Sequence, residues 1–342
     1  MRTILITGAA GFIGSNFVRM LMARGERVKL IALDKLTYAG NLANIEDLLA
    51  DRERLLFVRG DICDVDLIAD LFDKQGIREI VNFAAESHVD RSILGSGPFV
   101  QTNVVGMQVL LDTAKIRGID RFLQVGTDEV YGSLPEDKPE IKFTEETPLQ
   151  PNSPYSASKA AADCLVRAYY HTFKMPVLTT RCSNNYGPYQ FPEKLIPLFV
   201  TNLIEGKKVP LYGDGMNVRD WLYVDDHCEA IWAVLNKGAP GEVYNIGGNN
   251  EIPNRKITET ILRDMSKSWD ENVQYVKDRP GHDRRYAIDA SKIKNQLGWE
   301  PRFRFDEAIK KTIEWFRTHE AWWRAIKSGE YLKYYETQYA GR

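Results

Sequence analysis

Residues Thr3 to Gly14 read TILITGAAGFIG. The first five form a short apolar run with β-branched side chains, the pattern of a buried strand. The run meets Gly8, Gly11 and Gly14, spaced G-x-x-G-x-x-G, and then an amphipathic stretch from Phe12 to Arg24. Strand, glycine turn and helix in that order expose free N–H groups at a helix start, where the dipole favours a pyrophosphate. Glycine is used there because a side chain would block the ligand's approach. Val28 to Leu33 is a second apolar run and ends at Asp34, about 20 residues past the last glycine. A carboxylate in that place accepts hydrogen bonds from adenosine ribose hydroxyls and repels the extra phosphate of NADP. The stretch predicts a dinucleotide site that prefers NAD.

Further strand signals lie at Leu55–Val58, Glu79–Phe83, Arg121–Val125 and Pro176–Thr180, with room between them for crossover helices. The pattern predicts an α/β chain: a Rossmann-type doubly wound parallel sheet covered on both faces. After Arg181 the order changes. Pro188, Pro192, Pro197 and Pro210 interrupt it, and a short run at Trp221–Tyr223, a helix over Asp225–Leu235 and a strand over Glu242–Ile246 follow. The expected division is an NAD-binding domain over 1–185, with about 220–247 returning to it, and a smaller, irregular C-terminal substrate domain over 186–342. The loop from Leu134 to Gln150 is rich in charges and prolines and is expected to be exposed. Trp315, Trp322 and Trp323, on a helical C-terminal stretch, are expected in a core.

The 342 residues carry 45 Lys and Arg against 47 Asp and Glu, a net charge of −2. That balance argues against a nucleic-acid or anionic-membrane binder. Cys63, Cys164, Cys182 and Cys228 are scattered, with no C-x-x-C pair and no histidine set beside them. Neither a disulfide framework nor a metal site is expected, and the thiols read as buried and reduced. No leader pattern and no run of about 18 apolar residues is seen, so the expectation is a cytoplasmic protein with no membrane span.

Ser153-Pro154-Tyr155-Ser156-Ala157-Ser158-Lys159 reads as a helix start, with Ser153 as cap and Pro154 in the first turn. Tyr155 and Lys159 then share one face. An ammonium beside a phenol favours the phenolate and lowers its pKa, which makes a base for a hydroxyl proton. The fifth strand runs into Gly126-Thr127-Asp128-Glu129. Ligands of open parallel sheets bind outside the carboxyl ends of the strands, so Thr127, Asp128 and Glu129 are expected to face Tyr155. A dehydrogenase needs only the Tyr and Lys. Elimination of water needs a base for a C–H and an acid for the leaving oxygen, and both carboxyl groups are present.

These stretches resemble the extended short-chain dehydrogenase/reductase family, and within it the dTDP-glucose 4,6-dehydratase branch. The resemblance is carried by GAAGFIGSN, DKLTYAGN from Asp34, NFAAESHVDRS from Asn82, TDEVYGS from Thr127, PNSPYSASK, the Arg181–Phe199 and Pro210–Trp221 segments, YNIGGNNE, and DRPGHDRRY from Asp278. It covers nearly the whole chain. Gly126 departs from the serine expected there, and Ala9 from the commoner glycine. The implied activity is that of a hydro-lyase: Tyr155, Thr127 and Lys159 assist oxidation at C4 of a glucosyl ring. Glu129 removes the C5 hydrogen, Asp128 protonates the departing C6 hydroxyl, and a tightly held NAD returns the hydride to C6.

By the same resemblance, cofactor contacts fall on Gly8, Gly11, Phe12, Ile13, Gly14, Asp34, Lys35, Leu36, Thr37, Asp61, Ile62, Phe83, Ala84, Ala85, Ser87, Thr102, Tyr155, Lys159 and Asn185. Substrate contacts fall on Ser87, Thr127, Asn184, Glu193, Lys194, Leu195, Pro210, Tyr212, Arg219, Asn254, Arg279 and His282. Asn254 is expected to cap a helix starting near Arg255, and His282 shows no partner in the sequence. The resemblance also implies a homodimer, formed through Phe99–Leu111 and the Tyr155 helix. A related epimerase has no need of both carboxyl groups, a decarboxylase needs a cation for a C6 carboxylate, and a dinucleotide sensor would be expected to lack Tyr155 or Lys159.

Overall fold

The computed structural model describes residues 2–278 and 282–328. Six strands come first: β1 (Arg2–Thr7), β2 (Val28–Asp34), β3 (Leu55–Arg59), β4 (Glu79–Asn82), β5 (Arg121–Thr127) and β6 (Val177–Cys182). Six more follow: β7 (Asn184–Tyr186), β8 (Val209–Tyr212), β9 (Val218–Tyr223), β10 (Val243–Ile246), β11 (Glu251–Pro253) and β12 (Val273–Val276). Seven form one all-parallel sheet in the order β10-β6-β5-β4-β1-β2-β3.

Alternation along each strand explains why both faces need helices. Ile4 and Ile6 of β1 point into one core, with Leu30 and Ala32 of β2. Leu5, Ile31 and Leu33 point into the other. The helices Phe12–Ala23 and Val224–Lys237 cover the first face, and Val65–Gln75, Gly106–Arg117 and Pro154–Phe173 cover the second. The chain runs outward from β1 to β3, then returns to β4 beside β1, which places a topological switch between β1 and β4.

The second half packs around its own core of Tyr186, Phe199, Trp221, Ile257, Phe305, Phe316 and Trp323. There β9 pairs parallel with β7 and antiparallel with β11, and β8 pairs with β12. Only part of 220–247 returns to the large sheet. Residues 220–223 stay with β9 in the smaller sheet, and the 224–237 helix and β10 return. A further segment returns unannounced: Ile293, Leu297 and Trp299 pack into the first core.

The 134–150 loop is not wholly exposed. Phe143 is 2 % exposed, stacks on Tyr131, and its N–H donates to the Ala287 carbonyl. One buried aromatic outweighs the polar composition around it. Trp323 is fully buried, and its indole donates to the Phe316 carbonyl. The thiols are not uniformly buried: Cys182 and Cys228 are, Cys63 is half-buried and Cys164 is exposed, all of them free. Among the described residues no helix is long and apolar enough to cross a membrane, and no cluster could hold a metal ion.

Candidate active site

The switch between β1 and β4 is where the glycine turn sits. Gly8 has φ +64°, and a Cβ on it would lie 2.7 Å from the Ala84 nitrogen at the end of β4. On Gly14 a Cβ would meet the Gly8 carbonyl, so the helix packs directly on the turn. Asp34 is buried at the end of β2. Its two oxygens accept from the N–H groups of Ala10 (2.9 Å) and Leu36 (2.8 Å). Burial pushes its pKa up and those donors oppose the push.

A cleft of about 360 Å³ opens from this turn. It is lined by Gly8, Gly11, Phe12, Ile13, Gly14, Asp34, Lys35, Thr37, Asp61, Ile62, Phe83, Ala84, Ala85, Ser87, Thr102, Tyr155, Lys159 and Asn185. Leu36 is the exception among the expected cofactor residues. Its backbone is turned to φ +58°, its N–H is spent on Asp34, and it does not line the cleft. A bare glycine turn at a helix start, a buried carboxylate on the neighbouring strand and this elongated cleft fit a dinucleotide.

At the far end of the cleft, β5 delivers Thr127, and a short turn over Asp128–Tyr131 follows. The Thr127 hydroxyl accepts from the Glu129 N–H (3.3 Å). Asp128 is 1 % exposed, and its Oδ2 has no hydrogen-bond partner among the described residues. Burial, together with repulsion from Glu129, raises its pKa well above the carboxyl range.

Tyr155 arrives on the Pro154–Phe173 helix. Its start is the expected one, with Ser153 accepting from the Ser156 N–H (3.1 Å) and Pro154 in the first turn. Thr127, Asp128, Glu129, Tyr155 and Lys159 all line the same cleft. One expectation fails. The Tyr155 phenol is pushed up in pKa, by burial first and by Glu129 next, with the Thr127 hydroxyl as the opposing hydrogen bond. The Lys159 ammonium donates to the Val125 carbonyl (2.7 Å), and burial lowers its own pKa. Sequence spacing puts the two side chains on one face but does not say which acceptor the ammonium takes.

A second chamber, about 170 Å³, adjoins the first and shares Ser87, Glu129, Asn184, Glu193, Lys194, Leu195 and Trp221 with it. Pro210, Tyr212, Arg219, Asn254 and His282 line it too. Thr127 lines the first cleft only. Arg279 lies outside the described residues. Lys194 donates to the Ser87 carbonyl (3.2 Å). Arg219 stacks over Tyr286 at 4.3 Å and donates to the carbonyls of Val218 and Asp283. Asn254 is the first residue of its helix, after Pro253, rather than the cap. Its N–H donates to the Asn217 carbonyl and that of Arg255 to Gly215, so the backbone there is already committed. Its side chain is what reaches the chamber. His282 has a partner, the Asp278 carboxylate 2.6 Å from Nδ1.

Two contributors escape the sequence. Asn44 donates to the Ala10 carbonyl of the glycine turn (2.9 Å) and accepts from the Trp322 indole (2.8 Å), tying that turn to the C-terminal helices. His227 is fully buried and held neutral, with its pKa lowered to about 3 by burial. Its Nδ1 lies 2.8 Å from the Asn185 Oδ1, which fixes the amide's orientation. No motif or spacing in the sequence marks either of them.

The family model for GDP-mannose 4,6 dehydratase matches residues 5–312. The dTDP-glucose 4,6-dehydratase of Xanthomonas campestris pv. campestris is 52% identical, over 97% of this chain and 97% of that protein. Among solved structures, the dTDP-glucose 4,6-dehydratase DesIV of Streptomyces venezuelae, with NAD bound, superposes with a TM-score of 0.91 at 50% identity. The match covers 95% of this chain and 100% of DesIV. The UDP-glucose 4-epimerase of Thermotoga maritima shares the fold at a TM-score of 0.84 but only 29% identity, over 92% of this chain and 99% of the epimerase. The chain belongs to the family that the GDP-mannose 4,6 dehydratase model describes, on its dTDP-glucose 4,6-dehydratase branch.

Proposed function

We propose that the chain is an NAD-dependent hydro-lyase that converts dTDP-glucose to dTDP-4-keto-6-deoxyglucose. One observation carries this reading: Asp128, buried and with its pKa raised by that burial, lies beside Glu129 in the cleft that also holds Tyr155. Two neighbouring carboxyl groups whose environments differ divide into an acid and a base. When bound, NAD supplies the acceptor for the C4 hydride and the donor of the same hydride to C6.

The residues do the rest. Tyr155, in its phenolate form and with the Thr127 hydroxyl against its oxygen, takes the O4 proton, and Lys159 secures the helix face to β5 through the Val125 carbonyl. Once C4 is a ketone, the C5 hydrogen is acidic. Glu129 removes it, and Asp128 gives its proton to the C6 oxygen, which leaves as water. C5 is later reprotonated, so one water is lost overall. Glycines 8, 11 and 14 with Asp34 hold the dinucleotide. Lys194, Arg219 and His282 serve the diphosphate with Asn254 beside it, Ser87 and Asn184 the sugar, and Pro210 and Tyr212 the base. The reading includes a cytoplasmic homodimer. Val100 (50% exposed), Val105 and Phe173 leave apolar surface on two adjacent helical segments.

The test is the reaction run in deuterium oxide. The reading expects one solvent deuterium on carbon in the product, at C5, with the C4 hydrogen of the substrate recovered at C6. A product with unlabelled C5 contradicts the role of Glu129.

A further inference from the structure

The loop between β2 and the turn at residues 42–44 forms one wall of the dinucleotide cleft, through Lys35, Thr37, Tyr38, Ala39 and Gly40. Its two ends are tied down. The Leu36 N–H binds Asp34 Oδ1, the Asn41 N–H binds the Ala10 carbonyl (3.0 Å), and a Cβ on Gly40 would lie 2.6 Å from Asp34 Oδ1. Between these anchors Tyr38 does something the dinucleotide fingerprint does not require. Its ring meets Phe191 edge to face, with centroids 5.6 Å apart. Phe191 lines the same cleft but comes from the segment leading into the second chamber. The Arg91 guanidinium lies over the other part of the ring at 4.1 Å, and its Nη2 reaches the buried Glu193 carboxylate at 3.4 Å. The Tyr38 hydroxyl is itself buried. The ring is therefore gripped by the edge of Phe191, which lines the same cleft, and by the Arg91 cation, each in the geometry that attracts it.

We propose that Tyr38 is a positioning residue for cofactor retention: its ring, gripped by Arg91 and Phe191, closes the cleft over the dinucleotide. The inference rests on the NAD reading above. A dinucleotide leaving between these walls must pull the ring away from both partners. A cation over an aromatic face and an edge-to-face pair together are worth about tenfold or more in an equilibrium or rate. An enzyme that returns its hydride within each cycle benefits from such a strap, because a cofactor lost after C4 oxidation leaves a ketone stranded.

The experiment is exchange of bound NAD for isotopically labelled NAD in the purified holoenzyme, followed by mass spectrometry. Tyr38→Ala is expected to exchange about tenfold faster than the parent. Tyr38→Phe, which keeps the ring, is expected to exchange at the parent rate. Arg91→Met, which keeps the tyrosine and removes the cation, is expected between the two, and serves also if Tyr38→Ala folds poorly. The thermal midpoint of each variant in excess NAD separates retention from general damage. Parent protein that holds NAD while Tyr38→Ala and Arg91→Met exchange it at the parent rate overturns the proposal alone. Parent protein that takes up no NAD overturns the cofactor reading and the proposal with it.

Discussion

The dinucleotide cleft and the chamber beside it are built by opposite strategies. The cleft is made of backbone: a left-handed glycine, a helix start and a carboxylate held by two N–H groups, all within one β–turn–helix–β stretch. The chamber is made of side chains from distant places: Ser87, Lys194, Tyr212, Arg219, Asn254 and His282. The glycine turn depends chiefly on close backbone contacts, so its tolerance for substitution is set by sterics. The chamber needs the long-range packing of β7, β9 and β11 and of the helices around Phe199 and Trp221. Its tolerance is set by hydrogen bonds and ion pairs.

The catalytic carboxyl groups lie at the seam of the two, and the largest effect is expected there. Asp128→Asn with Glu129→Gln removes the acid and the base but neither the cofactor turn nor Tyr155. Water loss should fall by at least about 10³-fold, while C4 oxidation of dTDP-glucose stays measurable as reduced-cofactor absorbance. A double variant that forms the 4-keto-6-deoxy sugar at the parent rate breaks the assignment of roles.

A pair of glycines sharpens the backbone half of the comparison. Gly8 and Gly76 have nearly the same left-handed φ, +64° and +63°. Gly8 faces backbone at 2.7 Å, whereas Gly76, ending the Val65–Gln75 helix, has nothing within 4 Å. Gly76→Ala should cost about 1 kcal/mol, the conformational penalty alone. Gly8→Ala should cost about 2–4 kcal/mol and lose bound NAD, because the clash with Ala84 adds to that penalty. Equal losses in the two variants, measured by denaturant unfolding, contradict the steric account.

The smallest effect concerns Asp128 and stability. Burial raises its folded pKa above the carboxyl's ordinary 3.8, so the folded state binds the proton more tightly than the unfolded state. Stability is then full below 3.8, and falls as pH rises from there through the raised folded value. Asp128→Asn removes that fall. Its thermal midpoint should exceed the parent's by about 1–4 °C under alkaline conditions and converge with it near the carboxyl's ordinary pKa. A gain that does not change with pH argues against a buried, protonated acid.

What the sequence made legible follows the same division. Strand, glycine turn, helix and Asp34 are neighbours in the chain, so their geometry follows from their order. The capped helix start at Ser153 puts Tyr155 and Lys159 on one face for the same reason. The turn of Leu36 to φ +58°, with its N–H on Asp34, is a backbone feature that a resemblance does not carry over. Where the Lys159 ammonium points depends on the Val125 carbonyl, 34 residues away. The clamp of Asn44 and Trp322 on the glycine turn spans 278 residues, and no periodicity or motif encodes a contact of that kind. Residues 220–223 mislead similarly: the apolar run is a strand, but its partners β7 and β11 are fixed by tertiary packing.

The most direct measurement is incubation of the purified protein with dTDP-glucose and no added NAD, followed by mass spectrometry of the nucleotide sugar. The account predicts loss of one water to give dTDP-4-keto-6-deoxyglucose, sustained over many turnovers by cofactor carried through purification. An unchanged mass, with dTDP-, UDP- and CDP-glucose each tried and NAD then supplied, would contradict it.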